Sequence, residues 1–223
     1  MRDAWLIARK DLLIEARSRV VLNQVAPFAL LVLVLFGFAL DASIETETLV
    51  RFSPGLFWVT VLFVALLAIQ RSVALERVDG AFGALRLTGI DGWRIFVGKS
   101  LAVTAQLVVL EALLLFGIIV LYGARVASWP LVIIGAILAA TGISVAGSLY
   151  GVLAVGLGVR ETLLPILLLP VLAPVLIAAT KVFDDALGTA VVNGWAWTSL
   201  LAAFAVAYVV AGSLAYGMIL EDM

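Results

Sequence analysis

GKSLAVTAQLVVLEALLLFGIIVLY, residues 98–122, decides how the rest of the chain is read. Its only charged side chains are Lys99 at the start and Glu111 near the middle. A helix needs about 20 apolar residues to cross a hydrocarbon core of roughly 30 Å, so this stretch is long enough to span a membrane. Five further runs have the same character: Val20 to Leu40, Gly55 to Ile69, Leu131 to Val155, Leu163 to Val182 and Trp195 to Ile219. None alternates polar and apolar residues with period two. Helices, which bond every backbone group internally, are therefore expected rather than a barrel.

Composition agrees with this reading. The chain is 65% hydrophobic and 13% charged, with a mean hydropathy of +1.22, whereas soluble domains are roughly 45–50% apolar. Six spans consume most of the 223 residues, which predicts one all-α transmembrane domain over 1–223 and leaves no room for a soluble catalytic domain. There is no Cys and no His. Thiol redox chemistry, zinc sites of the usual ligands, imidazole ligation of haem iron and histidine acid–base catalysis are thus unavailable to the chain alone. The net charge of -1 carries no nucleic-acid signal. Charged residues precede a first apolar run longer than the usual h-region, so no cleavable signal is expected.

Basic residues set the orientation. Arg2, Arg9, Lys10, Arg17, Arg19, Arg71, Arg77, Arg86, Arg94, Lys99 and Arg160 fall on one side of the six spans, and only Arg51, Arg125 and Lys181 fall opposite. By the positive-inside rule the first side is the cytoplasm, with both termini in it.

Two segments outside the plain spans, and one within the fourth, carry more information. Residues 2–19 place Trp5, Ala8, Leu12 and Ala16 at helical spacing, with Ile7 and Ile14 off that stripe, which predicts an interfacial helix along an anionic surface. A mixed cytoplasmic extension of the first span is the alternative. Residues 71–99 form the longest connector, expected to be a short helix over Val73 to Val78 and then turns at Gly80, Gly83, Gly89 and Gly92. It suits docking to a soluble partner, or it is a solvated connector. Small residues Gly142, Ser144, Gly147, Ser148 and Gly151 let a helix approach a neighbouring span or a second copy of the chain.

Some residues within the spans are candidates for function. Glu111 sits where a carboxylate costs about 2.5–3.5 kcal/mol by insertion scales, and so needs a partner or water. It belongs either to a substrate pathway or to a structural hydrogen bond. Pro170 and Pro174 each remove a helical hydrogen bond, which makes the fifth span a gate or a static packing device. Gly98-Lys99-Ser100 ends like a phosphate-binding loop, but five residues separate Gly92 from Gly98 where four are required. Lys99 is instead expected to mark the cytoplasmic end of its span. Trp58, Trp129, Trp195, Trp197 and Tyr122 read as interfacial anchors. Clusters for a metal or for serine or aspartyl catalysis are missing, so no catalytic residue is assigned.

Phe52-Ser53-Pro54-Gly55-Leu56-Phe57-Trp58-Val59, Leu75-Glu76-Arg77-Val78-Asp79-Gly80, Phe96-Val97-Gly98-Lys99 and Leu163-Leu164-Pro165-Ile166-Leu167-Leu168-Leu169-Pro170 together resemble the CcmB family, over nearly the whole chain. The resemblance implies a six-helix permease of the ABC-2 exporter type in a bacterial inner membrane. It also implies partners: a separate CcmA-like ATPase carrying ATP and magnesium, a second copy of the permease, a haem-handling CcmC-like subunit, a small CcmD-like subunit and a periplasmic CcmE-like haem chaperone. Haem becomes the implied substrate, with Trp129, Trp195 and Trp197 as stacking candidates. By position, Glu76 to Gly80 would meet the ATPase, with Glu76, Arg77 and Asp79 forming ion pairs and Leu75, Val78 and Phe82 supplying apolar contact. An exporter permease for a lipid, drug or polysaccharide, and a non-transporting scaffold for haem-handling proteins, are the alternatives.

Overall fold

A computed structural model describes residues 2–19, 21–41, 46–78, 90–156 and 164–221, and among them it contains helices and connectors but no strand. The helices are α1 (Arg2–Ser18), α2 (Ala26–Asp41) after a π-helical turn at Val21–Val25, α3 (Thr46–Val78), α4 (Gly92–Tyr122), α5 (Trp129–Gly156), α6 (Leu164–Ala186) and α7 (Gly194–Glu221). Five contain stretches long and apolar enough to cross a membrane: Thr48–Ser72, Gly92–Tyr122, Trp129–Ala154, Leu164–Ala186 and Gly194–Ile219. The pair α1 and α2 passes the same test together, bent by 53° at its break. The protein is therefore a polytopic all-α membrane protein.

Helix α5 is the hub and packs on α3, α4, α6 and α7. Its small residues serve this chain's own spans. A Cβ at Gly147 would overlap the side chain of Ile69 on α3, and one at Gly142 would sit 3.3 Å from Val175 on α6. Ser144 is buried and shares a hydrogen bond with Thr104 of α4. Where α3 meets α6, the rings of Phe57 and Phe183 stack at 4.8 Å and Trp58 meets Phe183 edge-on at 5.0 Å. All three are buried, so Trp58 belongs to the core and is not an interfacial anchor. Tyr122 is buried as well, and its hydroxyl donates to the Leu33 carbonyl at 2.6 Å, joining α4 to α2.

Prolines sit inside two helices, and in one of them a neighbouring hydroxyl takes up the carbonyl that the proline releases. Pro54 lies within α3 and cannot donate to the carbonyl four residues before it. The Ser53 hydroxyl donates to that carbonyl, Val50 O, at 2.7 Å. Helix α6 likewise runs on through Pro170 and Pro174. Between those prolines the Val171 carbonyl accepts the Tyr208 hydroxyl of α7 at 2.7 Å.

Several expectations need correction. The helix expected over Val73 to Val78 is present as the end of α3, whereas Gly92 opens α4 instead of marking a turn. The turns expected at Gly80, Gly83 and Gly89 lie outside the described residues. Lys99 is 5% exposed, because its turn of α4 is covered by other elements rather than ending at the surface. On α1 the buried face is Ala4, Ile7 and Ala8, while Trp5 is 58% exposed. Docking against α4 thus uses a face that the spacing did not single out, and shares only Ala8 with the expected stripe.

Gly98 permits that docking, since a Cβ there would lie 2.6 Å from the Ala4 carbonyl oxygen and 2.9 Å from Ile7 Cβ. Gly98→Leu should therefore push α1 off α4 and cost about 1–3 kcal/mol by overpacking. Faster proteolysis within α1 and a lower melting midpoint of the purified protein would report it; an unchanged digestion pattern would show that α1 tolerates the intrusion.

Candidate functional site

At the end of the bundle that holds α1, three helices are tied together by charge. The Arg71 Nε of α3 lies 3.4 Å from Glu15 Oε2 of α1, and an Arg71 terminal nitrogen donates to Ser18 Oγ at 3.2 Å. From the first turn of α4, an Arg94 terminal nitrogen lies 2.6 Å from Asp3 Oδ2 of α1. Its Nε meets Asp91 Oδ2 at 2.9 Å. Helix α1 is thus clamped near both of its ends, once to α3 and once to α4.

Between the two clamps lies an apolar contact. Ile7 packs into a cluster with Ile95, Phe96, Val145, Val152 and Tyr216, where the Phe96 and Tyr216 rings approach to 5.3 Å. This cluster does most of the holding, because partly exposed ion pairs contribute only about 0.2–1 kcal/mol each. The charges instead fix register and direction. Spacing along one helix could not reveal Arg71 with Glu15 or Arg94 with Asp3, since each pair joins residues far apart in the chain.

Helix α3 continues beyond this frame. Its span closes at Ser72, and the six residues to Val78 add about 9 Å at 1.5 Å per residue. The expected docking residues Leu75, Glu76, Arg77 and Val78 lie on those last turns. Asp79, Gly80 and Phe82 lie outside the described residues. Four of the seven thus lie on the end of α3, in the helical stretch that the sequence suggests. Gly98, Lys99 and Ser100 are buried within α4, a helical setting without the open loop that cradles phosphate.

Deeper in the bundle, Glu111 is 2% exposed, and neither carboxyl oxygen has a hydrogen-bond partner among the described residues. It borders a cleft of about 150 Å³ whose walls include Phe57, Val108, Ala136, Ile137 and Phe183. No other ionisable side chain lines that cleft. Pro170 and Pro174 belong to α6 and do not line it, so the three intramembrane candidates do not form one site. Among the described residues no cluster of acids could hold a metal ion.

Comparison with known proteins matches this architecture to one family. The family model described as "CcmB protein" covers residues 2–222. A protein named "Heme exporter protein B" from Haemophilus influenzae is 28% identical over 189 residues, spanning 81% of this chain and 80% of the relative. One of the same name from Rhodobacter capsulatus is 31% identical over 152 residues, spanning 67% and 68%, and another from Paracoccus denitrificans is 28% identical over 179 residues, spanning 75% and 76%. With the match running from the first turn of α1 to the end of α7, the chain belongs to the CcmB family.

Proposed function

We propose that this chain is the membrane permease subunit of an ATP-driven haem-export complex serving cytochrome c assembly, in a bacterial inner membrane with both termini in the cytoplasm. Haem export is what its relatives' names describe. The observation that carries the mechanical half of the reading is the frame at the α1 end. Helix α3 projects beyond its span, and Arg71 and Arg94 tie α1 to both α3 and α4. A soluble subunit pressing on the end of α3 therefore moves a packed three-helix unit, and force reaches the spans instead of being lost in a slack connector.

In this scheme the chain hydrolyses nothing itself. ATP and magnesium belong to a CcmA-like subunit that docks on Leu75 to Phe82, with apolar contact from Leu75, Val78 and Phe82 and ion pairs from Glu76, Arg77 and Asp79. Haem is cargo, handled together with CcmC-like and CcmD-like membrane subunits and released with a CcmE-like chaperone, and a second copy of the permease completes the complex. Glu111 has the environment of a working group. Its burial without a hydrogen bond is a cost to the fold that no contact among the described residues offsets.

Charge reversal of Glu76 and Asp79 should uncouple the assembled complex, seen as lower ATPase activity of the partner subunit at unchanged copurification; full activity would count against docking there. Breaking the frame with Arg71→Glu should lower that ATPase activity up to about fivefold, the scale of one exposed ion pair. Glu15→Arg added to it should restore part of the loss. Glu111→Leu should raise the melting midpoint by removing an uncompensated carboxyl, while cytochrome c maturation in cells falls. Maturation at the wild-type level would remove Glu111 from the mechanism.

A further inference from the structure

The end of the bundle away from α1 holds an apolar groove that the transport scheme does not use. It lies between α3 and α6, has a volume of about 320 Å³, and its walls include Gly55, Trp58, Val59, Leu62, Ile177 and Lys181. Along α3, Gly55, Val59 and Leu62 share one helical stripe, and Arg51 continues it toward the helix start, four residues or about 6 Å from Gly55. Arg51 is exposed and makes no ion pair among the described residues. These are two of the three basic residues that the charge pattern sets apart from all the others.

Lys181 reaches the same mouth from α6. Its ammonium donates to Asp184 Oδ2 at 2.8 Å, and an ammonium has three donors, so the contact orients the head and leaves donors for a second acceptor. The other Asp184 oxygen accepts the Thr189 hydroxyl at 3.2 Å, which anchors the carboxylate. Further along the groove, Trp58 forms part of the wall, and its indole N–H is buried without a hydrogen-bond partner among the described residues. Beyond it the wall is aliphatic, with Val59 and Leu62 facing Leu176 and Ile177.

Cations at the mouth and an aliphatic wall beyond repeat the order of groups in a phospholipid: phosphate, then acyl chain. We propose that this groove binds an anionic phospholipid. Its phosphate pairs with Arg51 and Lys181, and one acyl chain runs along Val59, Leu62 and Ile177. Guanidinium and ammonium groups both favour a phosphate oxygen, and two of them at one mouth select a lipid of net negative charge over a zwitterionic one. The site stands apart from the coupling frame and depends on no property of haem.

The test uses the full-length chain in mild detergent, with phosphatidylglycerol or phosphatidylcholine added and bound lipid counted by native mass spectrometry. Phosphatidylglycerol should be retained over phosphatidylcholine by about fivefold or more, the effect expected of one basic residue near an anionic head. Arg51→Gln with Lys181→Gln should erase the preference. A second variant does not touch the charges. A Cβ at Gly55 meets nothing within 4 Å, so the side chain of Gly55→Leu starts into open space and should lower phosphatidylglycerol retention by filling the groove. Equal retention of the two lipids by the unmodified chain, or an unchanged preference in both variants, would overturn the proposal. Displacement of phosphatidylglycerol by equimolar haem would overturn it too, since the groove would then be a haem site.

Discussion

Within hydrocarbon no water is available to complete a backbone hydrogen bond, and the arrangement of this protein follows from that constraint. At several points where a helix loses a bond or offers a spare acceptor, a hydroxyl is close by. Ser53 donates to the carbonyl released by Pro54. Tyr208 donates between Pro170 and Pro174, and Tyr122 crosses from α4 to a carbonyl of α2. Thr60, Thr104 and Thr180 turn their hydroxyls back onto carbonyls four residues earlier in their own helices. Two of these bonds also join helices, so satisfying the backbone and assembling the bundle are partly one process.

The same constraint explains why the spans approach so closely. Lipid tails are as apolar as leucine, so helices associate through shape and dispersion rather than through exclusion of water. Gly147 admits Ile69, Gly98 admits the backbone of α1, and the rings of Phe57, Trp58 and Phe183 close the contact between α3 and α6. Glu111 stands out as a buried carboxyl beside an apolar cleft, with neither oxygen hydrogen-bonded among the described residues.

The two ends of the bundle are held together in different ways. At the α1 end, ion pairs link three helices around the Ile7 cluster, giving a stiff base for the projecting end of α3. At the other end, the loop before α5 is stitched to α6 by the N–H groups of Ala127 and Ser128, which donate to the Ala186 carbonyl. Asp185 accepts the Gly194 N–H at 2.8 Å and so connects α6 to α7. Arg51 and Lys181 remain at the surface there, beside a groove open to lipid.

Hydropathy and charge in the chain alone determined the helical class, the approximate spans and the grouping of basic residues at one end, because each depends on residue type and on distance along the chain. Four short motifs taken together, from Phe52–Val59 to Leu163–Pro170, likewise suggested the family. Only the tertiary structure decided which way each helix faces. A span that is apolar on all sides marks no face for the core, so Trp58 and Tyr122 read as surface anchors and lie inside. The stripe chosen on α1 was likewise not the one that α4 covers. Lys99 read as a membrane-edge marker, yet its burial arises from α1 and neighbouring spans meeting over it. Pairings such as Arg71 with Glu15, and a groove shared by α3 and α6, exist only once distant segments are brought side by side, and no local spacing records the rotation that brings them there.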